Sequence, residues 1–223
     1  MPCSCCRLTD RTFGEKDARR DLRFYHKHGV PVQTREILEA VRSLGLADAS
    51  LLDIGGGIGV IHHELVGDIA RTATHVDASS AYLNVARSEA ARLGHADRLN
   101  FIHADFIDVA GALPVSDIVT LDRVVCCYPE FRLLLKAAAS RARQALGLAY
   151  PREVWYVRLV IQAINFLQRL RRDPFRVFLH SAGQMDDVLQ ASGLQRVFLR
   201  RFMVWEVATY RRPSCIRLNP SIV

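Results

Sequence analysis

Apolar positions along this chain alternate between two spacings, and the switch between them outlines its elements. From Phe13 to His28 charged residues dominate, and Leu22, Tyr25 and Phe24 supply the only apolar face of an exposed helix. Gly29-Val30-Pro31 breaks it. Ile37, Leu38, Val41 and Leu44 then recur at helical spacing behind Thr34, which the pattern predicts as an N-cap, and Gly45 ends the helix. From Leu51 the spacing tightens into short apolar runs separated by helical stretches. Strands are expected at Leu51–Ile54, Ala73–Asp77, Leu99–His103, Asp117–Leu121 and, briefly, Leu148–Tyr150. Helices are expected at Val60–Ile69, Ala81–Leu93, Glu130–Leu146, Arg152–Arg172 and Met185–Ala191. Two closing strands, Gln195–Leu199 and Val204–Tyr210, have no helix between them and predict an antiparallel hairpin.

Strands alternating with helices imply an α/β fold: a doubly wound, mainly parallel, Rossmann-like sheet of seven strands. No repeat or long linker divides the chain. One domain over 1–223 is expected, with a tail and helical cover in 1–45 and the sheet core in 46–223.

Composition supports a full core, because half of the 223 residues are hydrophobic. The formal charge of +7 favours anionic partners without choosing among small acids, nucleic acid and lipid. No apolar run is long enough for a transmembrane helix, and the first residues lack a signal-peptide core. The six cysteines fall as Cys3, Cys5 and Cys6, an adjacent Cys126-Cys127, and Cys215, which is not a disulfide framework. A cytoplasmic location is the expectation.

In an open α/β sheet, ligands bind at the carboxyl ends of the strands, so chemistry is sought directly after each one. The first strand runs into Asp53-Ile54-Gly55-Gly56-Gly57-Ile58-Gly59, a glycine turn that lets backbone approach a ligand before a helix N-terminus. Asp77, Ala78 and Ser79 follow the second strand, and an acid there can accept both hydrogen bonds of a ribose diol. Asp105-Phe106 follow the third, suited to an adenine amine and ring face. Leu121-Asp122-Arg123 close the fourth, where a reactive group would sit. The dinucleotide fingerprint requires a glycine three positions after Gly57, and that position is Val60.

This series resembles the class I S-adenosylmethionine-dependent methyltransferases over about Leu51 to Tyr210. The resemblance implies S-adenosylmethionine as cofactor, held by Asp53, Gly55, Gly56, Gly57, Gly59, Asp77, Ala78, Ser79, Asp105, Phe106 and Leu121. A narrower, more distant resemblance is to the magnesium-protoporphyrin O-methyltransferases. It rests on Leu121 to Pro129, Ala149-Tyr150-Pro151 and Phe178-Leu179-His180. The chain departs from that family in carrying Cys127-Tyr128-Pro129 where the family has His-Tyr-Pro. The implied activity is O- or N-methylation of a small, acidic or aromatic acceptor. Asp122, Arg123, Tyr128 and His180 are the catalytic candidates, with Tyr150 also at the strand ends. Arg123 could hold an acidic substrate or simply pair with Asp122.

Other residues have plainer readings. His62 and His63 are read as packed or surface histidines, His103 as core, and Cys126 and Cys127 as small buried residues. Cys3, Cys5 and Cys6 lack the spacing of a structural zinc site, so no metal is expected. The basic helix Arg152–Arg172 could touch anionic lipid, and the preferred reading packs it on the sheet or over the substrate. A nucleic-acid methyltransferase and a non-catalytic cofactor-binding or metal-sensing module are the alternatives.

Overall fold

A computed structural model describes residues 12–213. Cys3, Cys5, Cys6 and Cys215 lie outside the described residues. The chain opens with two helices, α1 (Glu15–His28) and α2 (Val32–Arg42). Strand β1 (Ala49–Ile54), helix α3 (Val60–Leu65), β2 (Ala70–Asp77), α4 (Ser80–Leu93) and β3 (Leu99–His103) follow. A single turn of helix, α5 (Phe106–Val109), leads to β4 (Ser116–Asp122), α6 (Phe131–Arg141) and β5 (Ala142–Pro151). Helices α7 (Trp155–Leu170) and α8 (Ala182–Ala191) precede β6 (Gln195–Arg201) and β7 (Trp205–Arg211).

All seven strands form one sheet in the order β3-β2-β1-β4-β5-β7-β6. The first five run parallel, and β7 is antiparallel to both β5 and β6, giving the expected C-terminal hairpin. Strand order reverses between β1 and β4, which opens a crevice above their carboxyl ends. One face of the sheet buries Phe131, Leu134, Leu135 and Ala138 of α6 with Met185 and Leu189 of α8. The other buries Ile37, Leu38 and Val41 of α2 with Ile61 and Leu65 of α3.

Three boundaries differ from the sequence pattern. The helix expected over Glu130–Leu146 stops at Arg141, and β5 takes all of Ala142–Pro151. The alanine-rich run lacks the β-branched signature of a strand. Its registers with β4 (Ser116↔Ala142 to Asp122↔Ala149) and β7 override that local preference. Gly147 suits this central position because a Cβ there would lie 3.0 Å from Ile37 of α2. Thr34 is not an N-cap: Pro31 holds that place, and Thr34 is fully buried inside α2. The helix after β1 ends at Leu65 rather than Ile69, because Gly67 at φ 91° turns the chain. In α1 the buried residue is Ala18, whereas Phe24 is exposed.

Candidate active site at the carboxyl edge of the sheet

A cavity of about 490 Å³ opens above the switch between β1 and β4. Its lining combines the turn after β1 (Ile54, Gly55, Gly57), the end of β2 (Val76 to Ser79), Ala104 and Phe106 after β3, and Asp122, Arg123 and Val124 after β4. Phe13, Asp21 and Tyr82 close one side, and Cys127, Tyr128, Pro129 and the Pro174–Phe178 region close another.

The glycine turn is built by close approach. Gly55 and Gly57 both sit at positive φ, and a Cβ on Gly55 would lie 2.6 Å from Val124 Cγ2. Asp77 holds the turn to the next strand. Its Oδ2 accepts from the Gly57 amide at 2.9 Å and its Oδ1 from the Ser79 amide at 2.8 Å. Each carboxylate oxygen retains capacity for another donor, so Asp77 braces the loop while facing the cavity.

Asp53 is set differently. It is fully buried beneath the turn, taking a hydrogen bond from Thr120 Oγ1 at 2.8 Å and contacting His62 Nδ1 at 3.1 Å. Burial raises its pKa, while His75 and Thr120 oppose the rise. A Cβ on Gly56 would come 2.5 Å from Asp53 Oδ2, and one on Gly59 would strike His62. Asp53, Gly56 and Gly59 therefore shape the turn from below and do not line the cavity.

Four histidines surround this support. His62, His63, His75 and His95 are buried, with His62 and His75 rings 4.9 Å apart and His63 Nδ1 at 2.9 Å from His95 Nε2. Burial depresses His62 well below the ordinary histidine range, and burial with His62 and His95 nearby takes His63 down to about 3. Both are neutral at pH 7, which keeps like charges from meeting under the loop. The packed reading of His62 and His63 thus matches the structure. His103 does not match its core reading: it is exposed, and its ring reaches the Ala78 carbonyl at 3.1 Å.

The wall after β4 carries charge. Thr34 of α2 donates to Asp122 Oδ2 at 2.6 Å, and Arg123 approaches Asp122 at 3.4 Å. Asp122 Oδ1 is buried without a hydrogen-bond partner. Arg123 holds φ at 62°, a strained conformation for a residue with a Cβ, with its amide donating to Ala149. The neighbouring Asp122 raises its guanidinium pKa, so it stays a cation. Tyr128 joins this wall to β3 by donating to Asp105 Oδ1 at 2.9 Å, and Asp105 also caps α5 through the Ile107 amide.

The remaining expected residues stand behind the wall. Leu121 is buried in the core beside Phe106. His180 Nε2 donates to the Tyr128 carbonyl at 2.9 Å, and the Phe178 amide donates to Cys126. These bonds stitch Phe178–His180 onto Cys127-Tyr128-Pro129 and make His180 a clasp outside the lining. Tyr150 is buried and donates to Glu206 Oε1 at 2.7 Å, so it serves the β5–β7 pairing rather than the cavity. Cys126 is buried as expected, while Cys127 lines the cavity.

Sequence reading missed Phe13, Asp21, Thr34, Tyr82, Phe175 and Arg176. Tyr82 donates to Asp21 Oδ2 at 2.7 Å, and Ser79 donates to the Phe13 carbonyl at 2.8 Å, tying α1 across the cavity. No local signal marks these residues, because each reaches the site through a contact distant in sequence.

Sheet order, hairpin and glycine turn together define the fold of the class I methyltransferases. Among solved structures, the chain is similar to magnesium protoporphyrin IX methyltransferase from Synechocystis, determined with bound S-adenosylhomocysteine, at a TM-score of 0.74 and 17% identity over 94% of this chain and 100% of that one. The same enzyme with bound S-adenosylmethionine aligns at 0.71. An O-methyltransferase family protein from Burkholderia thailandensis aligns at 0.66 with 17% identity, over 94% of this chain and 62% of that one. A sarcosine dimethylglycine methyltransferase assignment from Galdieria sulphuraria aligns at 0.66 with 14% identity, over 88% and 98%. No protein-family model matches the sequence, and no curated protein matches it significantly.

Proposed function

We propose that this chain binds S-adenosylmethionine and transfers its methyl group to a small-molecule acceptor. The observation that carries the reading is the single cavity shared by the glycine turn, Asp77 and the Asp122–Arg123 wall. Its volume of about 490 Å³ falls within the range of small-molecule sites. The residues also fit the cofactor chemically. Asp77 offers carboxylate oxygens for a ribose diol, Phe106 and Ala104 an apolar slot for a purine, and Gly55 and Gly57 close backbone approach. When bound, the cofactor supplies an electrophilic methyl on a sulfonium.

The chain's own part is to position, exclude water and manage charge. Phe13, Phe175, Phe178 and Tyr82 enclose the space where an acceptor would lie, which keeps it dry and oriented. Asp122, fixed by Thr34, presents a carboxylate able to take a proton from an acceptor hydroxyl or amine. Arg123 and Arg176 offer cations to an acidic acceptor. The aromatic walls support an acceptor with an apolar, ring-containing body.

Calorimetric titration with S-adenosylmethionine tests the cofactor step, with saturable binding expected and weakened by Asp77→Ala. Labelled-methyl turnover over fractionated metabolite extracts tests the transfer step. Absence of cofactor binding by the folded wild type overturns the reading. Binding without turnover on any acceptor favours the non-catalytic module.

A further inference from the structure

Helix α7 leaves most of its apolar surface uncovered. Of its sixteen residues only Val157 and Ile161 are buried. Trp155 is 73% exposed, Phe166 60% and Leu170 65%, with Leu159, Val160 and Leu167 exposed beside them. At the pitch of an α-helix these six residues share one arc of roughly 140°. The buried pair lies on a different arc, so the exposed apolar arc faces away from the sheet.

A second element extends it. Tyr156 of α7 donates to the Met203 carbonyl in the β6–β7 turn, and Arg152 donates to Phe202 in the same turn. That turn presents Met203, 77% exposed, and Val204. An apolar patch of this kind is unusual on a free surface and marks an interaction site.

Charge selects the occupant. From Val154 to Arg172 there is no aspartate or glutamate, while Arg158, Arg169, Arg171 and Arg172 are exposed. Arg200 and Arg201 flank the turn but are paired with Glu36 and Glu206, so the charge free to meet a partner is that of α7. Arg158 pairs with Glu153, but among the described residues no ion pair offsets Arg169, Arg171 and Arg172 at the far end. A helix with an apolar arc and such a basic flank matches the boundary between acyl chains and anionic headgroups. Pairing with a second copy is disfavoured, because a two-fold contact through α7 would bring its arginines together with only Glu153, already paired with Arg158, to offset them. No helix among the described residues is long and apolar enough to cross a membrane, so the contact is one of lying on the surface.

We propose that α7 and the β6–β7 turn seat this protein on an anionic lipid surface. The seat is joined to the cavity. Asn165 of α7 makes a paired hydrogen bond with Val177, its side chain donating to the Val177 carbonyl at 2.8 Å and accepting the Val177 amide at 2.9 Å. Phe175, Arg176 and Phe178 beside that residue line the cavity, so lipid contact at α7 bears on one of its walls.

Vesicle flotation of the full chain tests the proposal, using phosphatidylcholine vesicles with and without phosphatidylglycerol. Flotation is expected only with the anionic vesicles. The paired change Leu159→Glu and Phe166→Glu is expected to weaken it by about a hundredfold, because it removes two apolar anchors and adds repulsion. Arg169→Gln or Arg172→Gln is expected to weaken it by about fivefold each. In a Trp205→Phe background, Trp155 is the one tryptophan left and its emission should shift to the blue on anionic vesicles. Three results overturn the proposal: no flotation with anionic vesicles, flotation unaltered by the paired glutamates, or a wild-type dimer that those glutamates dissociate without lipid. Equal thermal stability of wild type and variants shows that the loss is not misfolding. The experiment contains neither methyl donor nor acceptor, so its outcome is independent of the methyl-transfer reading.

Discussion

Asp77 braces the glycine turn at the same position where the proposed cofactor would meet it, and substitutions there are informative. Its carboxylate ties the Gly57 and Ser79 amides, so Asp77→Asn removes charge from two backbone hydrogen bonds while keeping the shape. Loss of such charge-assisted bonds is expected to weaken S-adenosylmethionine binding by about tenfold or more, read by calorimetry. Gly55→Ala is expected to lower stability by about 1–3 kcal/mol in thermal or denaturant unfolding, because it combines positive φ with a clash against Val124. Glycine spacing and the acid at strand β2 were both legible in sequence. The separate placement of Asp53 was not: an acid directly before the turn reads as a ligand contact, and only its bonds to Thr120 and His62 reveal a buried support.

Titration is also a residue-scale matter. His63 is pushed down to about 3 in the folded chain and starts from 6.5 in an unfolded one. Across that window the unfolded chain binds a proton that the folded chain refuses. Stability is therefore full above 6.5 and falls as pH drops, by up to about 1.4 kcal/mol per pH unit. His62 acts in the same direction. Asp53, raised by burial, acts in the opposite direction, because the folded chain retains a proton that the unfolded chain loses. The melting temperature is expected to fall between pH 7 and pH 5, and less steeply in His63→Gln.

At the scale of elements, the cover is held by a few polar ties. Tyr82 and Ser79 of the α4 region reach Asp21 and Phe13, while Tyr25 donates to Glu64 of α3 and His26 contacts Glu89 of α4. The Arg92 guanidinium beside Glu89 holds its carboxyl at about 2, so that anchor is charged at neutral pH. Tyr82→Phe deletes one tie at a cost of about 1 kcal/mol and is expected to raise proteolysis of α1 before global unfolding. Helix α2 contributes from the opposite side. Thr34→Val leaves the Asp122 carboxylate with one fewer donor in a buried setting, and a fall in turnover larger than any fall in cofactor affinity is expected. The two helices that precede β1 were visible in the sequence, but which residues they lend to the site was not.

For the molecule as a whole, the sheet order puts every functional loop at one edge and leaves α7 on the outside. The proposed methyl-transfer cavity and the proposed lipid seat then occupy different surfaces joined by the Pro174–Phe178 region. The fold hosts many acceptors, so the acceptor belongs to the cavity walls rather than to the architecture.

The sequence by itself determined the alternation of strands and helices, the closing hairpin, the glycine turn and the acids at strand ends. These are local signals: apolar period, backbone permissiveness and residue type at a boundary. Tertiary structure alone decided that Ala142–Pro151 is a strand, that His180 and Tyr150 stand behind the wall, and that Thr34, Asp21 and Tyr82 meet the site. Each of those depends on a partner far away in the chain. Pairing on both sides of β5 outweighs the helical preference of alanines, and a side chain's hydrogen bond goes to whatever group packing brings within reach.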